Sequence, residues 1–170
     1  KVSWELNATG EAGDNYNLSF RSSSNYTKIQ SVESNSSSVE IQDILVLDTD
    51  FESIDFGNLA PGEDNRSASR NNLGYNLTIN ESSNKVDNLW LKGSNLIHET
   101  NTNYSIGISN MSYLDTSINN QNRLSSSYSL IDTSLSPGTQ KTFKYWLDTP
   151  EGILNGDYQG SITFKVNQSS

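Results

Sequence analysis

The chain predicts an all-β fold, a two-sheet sandwich or jelly roll of about ten strands. Three observations carry that expectation. Apolar side chains recur at every second position in short runs between Val2 and Val166, the period at which a strand turns one row of side chains toward a core. Helical spacing never extends beyond about two turns. Turn-forming residues separate the runs at intervals of roughly ten to fifteen residues, the punctuation of antiparallel sheets.

The first run is Val2, Trp4 and Leu6, alternating with Ser3 and Glu5, which makes residues 1–8 a one-faced strand. Asn7 to Asp14 holds two glycines and reads as a flexible connection. Tyr16-x-Leu18-x-Phe20 and the segment Tyr26 to Val32 give two further strands, followed by a serine run over Asn35 to Ser38. Val39 to Leu47 carries a heavier apolar load and fits either a buried strand or one short helix. Strands are then expected at Ile54–Gly57, Tyr75–Ile79, Leu89–Leu91, Tyr104–Ile108, Tyr128–Ile131, Phe143–Leu147 and Tyr158–Val166. Leu59-Ala-Pro-Gly62 and Leu135-Ser-Pro-Gly138 each place Pro where φ is fixed and Gly where φ turns positive, so both suit a tight turn before a strand. At the C-terminal end, Phe143, Tyr145 and Leu147 share one face, and Tyr158, Ile162, Phe164 and Val166 line a returning strand. The two are expected to pair antiparallel, with Gly160 marking a bulge or a close neighbour.

At 170 residues and without a linker-like break, the chain suits one core: residues 9–170 as a single sandwich, preceded by the strand at 1–8. A formal charge of −9 repels phosphates and argues against nucleic-acid partners. No stretch reaches the roughly eighteen apolar residues of a membrane-spanning helix, and any signal peptide is expected to have been removed. Ten Asn-x-Ser/Thr tripeptides begin at Asn7, Asn17, Asn25, Asn35, Asn65, Asn76, Asn80, Asn103, Asn110 and Asn167. That is about twice what 22 Asn and 41 Ser plus Thr produce by chance. They point to a secreted or cell-surface protein carrying covalent N-glycans. The absence of cysteine excludes a disulfide framework and suits a Gram-positive or archaeal exterior.

Little in the sequence points to catalysis. His98 is the sole histidine, there is no cysteine, and no Gly-x-Ser-x-Gly elbow is present. His98 is expected in a partly exposed loop, and the chain is not expected to be an enzyme or to need a cofactor. Asp48, Asp50 and Glu52 are spaced so that three carboxylates can point one way, which makes them candidate calcium ligands against a plain acidic loop. Trp4, Trp90 and Trp146 fit either core positions or a stacking platform for sugar rings.

Ile54-Asp-Phe-Gly-Asn-Leu-Ala-Pro-Gly62, Tyr75-Asn-Leu-Thr-Ile79, Leu89-Trp-Leu-Lys-Gly-Ser-Asn-Leu96 and Ile106-Gly-Ile-Ser-Asn-Met-Ser112 resemble secreted archaeal β-sandwich proteins of cell surfaces. The tail, Leu135-Ser-Pro-Gly138, Phe143-Lys-Tyr-Trp-Leu-Asp148 and Gly156-Asp-Tyr-Gln-Gly-Ser-Ile-Thr-Phe164, looks like the closing strands of that group. A looser similarity reaches archaeal bundling pilins and fibre subunits of the TasA and camelysin type. The resemblance implies a filament whose subunits give an N-terminal strand to the sandwich of a neighbour. Val2, Trp4 and Leu6 would be the donor row, and Ile162, Phe164 and Val166 would border the acceptor groove. The chain's partner would then be itself, with surface glycans or neighbouring filaments as further contacts. The alternative to donation is that this segment folds back into its own sandwich, for example beside Ile162 to Val166. A monomeric carbohydrate-binding adhesin and a surface-layer lattice domain are the alternative functions.

Overall fold

The computed structural model describes residues 15–19, 21–22, 32–33, 35–40, 44–83, 88–133 and 135–167. The candidate donor strand at 1–8, with Val2, Trp4, Leu6 and Asn7, lies outside the described residues, as does Asn25. The chain divides into two compact units, Lys1–Ile44 and Leu45–Ser170.

In the first unit, β1 (Asn15–Leu18), β2 (Arg21–Ser22), β3 (Val32–Glu33) and β4 (Ser37–Glu40) form two antiparallel pairs. Leu18 opposes Ser37 in β1–β4, and Arg21 opposes Glu33 in β2–β3. β2 and β3 thus lie between β1 and β4 in the chain, and the registers of the two pairs differ by one residue. The serine run thus contributes to a strand, and Val39 belongs to that strand.

Among its described residues the second unit is all-β apart from one 3₁₀ turn at Ile108–Asn110. Its strands are β5 (Leu47–Thr49), β6 (Arg66–Ser67), β7 (Tyr75–Ile79), β8 (Asn88–Gly93), β9 (Leu96–His98), β10 (Ser105–Ile106), β11 (Met111–Asp115), β12 (Asn120–Arg123), β13 (Ser129–Thr133), β14 (Gln140–Leu147), β15 (Tyr158–Gln159) and β16 (Ile162–Asn167). One sheet runs β12-β11-β14-β7-β5, with β6 also paired to β14. The other is built from β13-β8-β16 and β10-β9-β15. Its two parts adjoin along the same two stretches of chain: Tyr158 opposes His98, Ile162 opposes Gly93, and the pairing slips by one residue between them. Gly160 sits at that slip, where a Cβ would lie 3.0 Å from the Asn95 carbonyl oxygen and 3.2 Å from that of Ser94. The extra residue of the bulge lies on the opposite strand, within Ser94–Leu96, and its backbone comes so close that only a glycine fits at 160.

The core follows the period-two rows. Tyr75, Leu77 and Ile79 on β7, Phe143, Tyr145 and Leu147 on β14, Leu89 and Leu91 on β8, and Met111 and Tyr113 on β11 are all buried. Tyr145 meets Tyr75 edge-on at 5.3 Å between ring centres. Phe143 meets Phe164 of the facing sheet at the same separation, a spacing at which aromatic pairs add to their burial. Both Pro-Gly turns form as expected, Gly62 at φ 75° and Gly138 at φ 81°, each closed by a backbone bond, Glu63 N–H to Ala60 and Thr139 N–H to Ser136.

Three expectations are corrected. The last two apolar runs do not pair with each other: β14 pairs with β11, β7 and β6, whereas β16 pairs with β8. Both strands turn their apolar rows inward, so the chain crosses between sheets at 148–157 and the rows meet face to face. Ile54–Gly57 is irregular, because the Asp55 side chain accepts the Gly57 N–H at 2.8 Å and so offers the backbone a local alternative to a sheet ladder. The strand expected over Tyr104–Ile108 is reduced to β10, and the chain continues through the 3₁₀ turn into β11.

One side chain replaces a strand. Between β6 and β7, buried Asn71 accepts the Tyr145 N–H at 2.9 Å and donates to the Tyr145 carbonyl at 2.6 Å. Asn71→Ala is expected to cost about 1–3 kcal/mol, because a buried N–H loses its acceptor. Tyr145→Phe is expected to leave stability unchanged or higher, since the buried Tyr145 hydroxyl has no hydrogen-bond partner. Urea unfolding of the two variants beside the parent checks both.

Candidate functional site

The sheet edges differ in what they offer an incoming chain. β12 is polar throughout, Asn-Gln-Asn-Arg, and β5 spans three residues, two of them Asp48 and Thr49. β13 carries a register shift between Leu130 and Asp132, a bulge that spoils further pairing. β16 is regular over six residues and, among the described residues, pairs on one side alone, with β8. Ile162, Phe164 and Val166 pack against the core yet remain half-buried. An apolar row of this kind beside unpaired backbone groups is what strand addition requires.

A second feature was hidden by its residue types. Along β14 the core-facing row begins with Lys141, whose side chain is 9% exposed, and along β11 it ends with Asp115, fully buried. Lys141 Nζ donates to Ser117 Oγ at 2.8 Å, lies 3.3 Å from Asp115 Oδ2, and contacts Asp132 Oδ2 of β13. Asp115 Oδ1 accepts the Ser117 N–H and Oγ–H at 2.8 and 2.7 Å. One ammonium therefore joins carboxylates from both sheets. Burial favours the neutral amine, but Asp132 and Asp115 together outweigh it and hold the Lys141 pKa above its ordinary value. The signal in the sequence was the alternation Lys141-x-Phe143-x-Tyr145 and Met111-x-Tyr113-x-Asp115, in which a charged residue takes an apolar slot.

The candidate calcium ligands do not converge. Asp48 accepts from Asn80 at 2.6 Å, while Asp50 is taken up by Arg70, by the Asn76 N–H and by the Asn76 amide; Glu52 is exposed. Among the described residues no group of three acidic, His or Cys side chains is placed to hold a metal. His98 is buried in β9, not in an exposed loop. Its Nδ1 accepts the Thr100 and Asn101 N–H groups, each at 3.2 Å, and Nε2 faces the Asn155 carbonyl at 3.1 Å. Tyr158 meets its ring edge-on. These contacts make it a clamp between two loops. Trp90 and Trp146 alternate with core residues on β8 and β14, so they project from the outer faces of different sheets and form no common platform. Among the described residues no helix is long and apolar enough to cross a membrane.

Two surface carboxylates bear on acid stability. Partial desolvation raises the Asp50 carboxyl, but the Asn76 hydrogen bonds and the Arg70 charge more than reverse it. Asp148 behaves alike: desolvation is outweighed by the Asn65 N–H and by Arg123, 2.5 Å away. Both pKa values lie below the ordinary value, so their contribution is present above the carboxylate range and is lost as pH falls through the folded values. Urea midpoints measured against pH should decline in acid, with a shallower slope in Asp50→Asn and Asp148→Asn. Lys141→Met should cost about 3–5 kcal/mol by stranding a buried carboxylate, and adding Asp115→Asn should recover part of that loss. Compared with protein-family models, curated proteins and solved structures, the chain matches none of them.

Proposed function

We propose that this chain is a structural subunit of an extracellular, N-glycosylated filament, in which the Val2-Ser-Trp-Glu-Leu6 segment of one copy lies along β16 of the next. The observation that carries the reading is the edge of β16: a regular strand, paired on one side among the described residues, with an apolar row of Ile162, Phe164 and Val166 left half-buried. Val2, Trp4 and Leu6 have the matching period of two and the matching number of apolar side chains. Covering each would yield about 2 kcal/mol before ordering costs, in addition to the backbone ladder. The work of such a subunit is mechanical and adhesive, with no turnover.

The glycan part of the reading is supported by exposure. Asn17, Asn35, Asn65 and Asn103 are exposed acceptors. Asn76 is different: it lies inside β7, donating to Asp50 and accepting the Thr142 hydroxyl at 2.6 Å.

Removal of residues 1–8 should abolish filaments in electron micrographs, and a free peptide of that sequence should shorten the filaments of the intact chain. Filaments of normal length from the truncated protein refute the donor role. Glycopeptide mapping of native material should find sugar at Asn65 and Asn103 and none at Asn76.

A further inference from the structure

The Lys141–Asp115–Asp132 cluster has the parts for a covalent reaction. Asp115 is fully buried, and its Oδ2 has no hydrogen-bond partner. The nearest cation, Lys141 Nζ, lies 3.3 Å from that oxygen. A second carboxylate, Asp132 from the opposite sheet, touches the same nitrogen and is 31% exposed. An amine and a carboxyl group condense poorly in water because both ions are well solvated and water drives the reverse reaction. A closed site removes both obstacles: it holds the partners at near-contact distance, worth a large effective concentration, and it excludes the hydrolysing water. It also charges a desolvation cost for keeping an ion pair, a cost that a neutral amide does not carry.

We propose that Lys141 Nζ and Asp115 Cγ join in an intramolecular amide bond, with Asp132 as the proton carrier. The ammonium first passes one proton to the Asp115 carboxylate, giving a neutral amine and a carboxylic acid. The Nζ lone pair attacks Cγ and forms the C–N bond. Asp132 accepts a proton from the attacking nitrogen and returns it to the departing hydroxyl, the C–O bond breaks, and one water leaves. Asp132 ends as the carboxylate it began as, and no oxidant or external reactant is consumed. Asp115 is the electrophile because it is sealed from solvent. Asp132 accepts the Thr133 N–H and reaches the surface, which suits a group that shuttles protons. The bond would tie the adjacent strands β11 and β14.

This proposal stands apart from the filament reading, since a linked monomer and an unlinked filament are separate observations. The test uses the whole chain produced without sugars, unfolded and weighed by mass spectrometry. The expected mass is lower than the sequence mass by one water. Trypsin should leave Lys141 uncut and release residues 93–123 joined to residues 124–144, because Asp115 lies in the first segment and Lys141 in the second. Lys141→Arg and Asp132→Asn should both return the full sequence mass, the latter with a cooperative unfolding transition retained. A folded parent chain of full sequence mass overturns the proposal. So does a water loss confined to residues 124–144, which would mark a bond to Asp132, or a water loss with Lys141 still cleaved, which would mark a cyclised aspartate.

Discussion

The second unit depends on one row of side chains. β14 is paired with β11 along one edge and with β7 and β6 along the other, and its inward residues, Lys141, Phe143, Tyr145 and Leu147, are all buried. Each makes a different connection. Lys141 reaches the facing sheet through Asp132, Phe143 reaches it through Phe164, and Tyr145 packs edge-on against Tyr75 while its backbone is held by Asn71. Because side chains alternate strictly along a strand, a slip of one residue would expose this whole row. The register of β14 therefore fixes the registers of its neighbours.

Much of the fold was legible because the period-two signal is strong where the inward residues are apolar. β7 carries Tyr75, Leu77 and Ile79 inward and begins and ends where its sequence pattern does, and the Pro-Gly turns adopt the positive φ that their glycines allow. Legibility failed where polar residues entered the pattern. β11 ends on Asp115 and β12 is entirely polar, so neither registers as a strand by hydrophobicity. Pairing partners were also beyond reach, because alternation identifies a face and not a neighbour. Phe143 and Phe164 have the same appearance whether their strands lie side by side or in opposed layers.

The site shows the same division. The apolar row of β16 was visible as three alternating residues, but its position at a sheet edge depends on β8 being its partner, information held more than sixty residues away. The buried triad was invisible for the reverse reason. Alternation puts Lys141 on the face of Phe143 and Tyr145, but a charge there reads as solvent-facing, and the carboxylates that receive it stand on two other strands, β11 and β13. Asp48 and Asp50, conspicuous in the sequence, turn out to serve as acceptors for Asn80, Asn76 and Arg70.

The continuity of β8 with β9 and of β15 with β16 has a mechanical consequence. The two composite strands run antiparallel, and six residues of β16 face six of β8 before the slip at Gly160. A pull on β16 along its own axis would load those rungs in shear, all at once, whereas a sideways pull would unzip them singly. Resistance along the strand direction is therefore much greater than across it, which gives the second unit a strong axis set by its hydrogen-bond pattern alone.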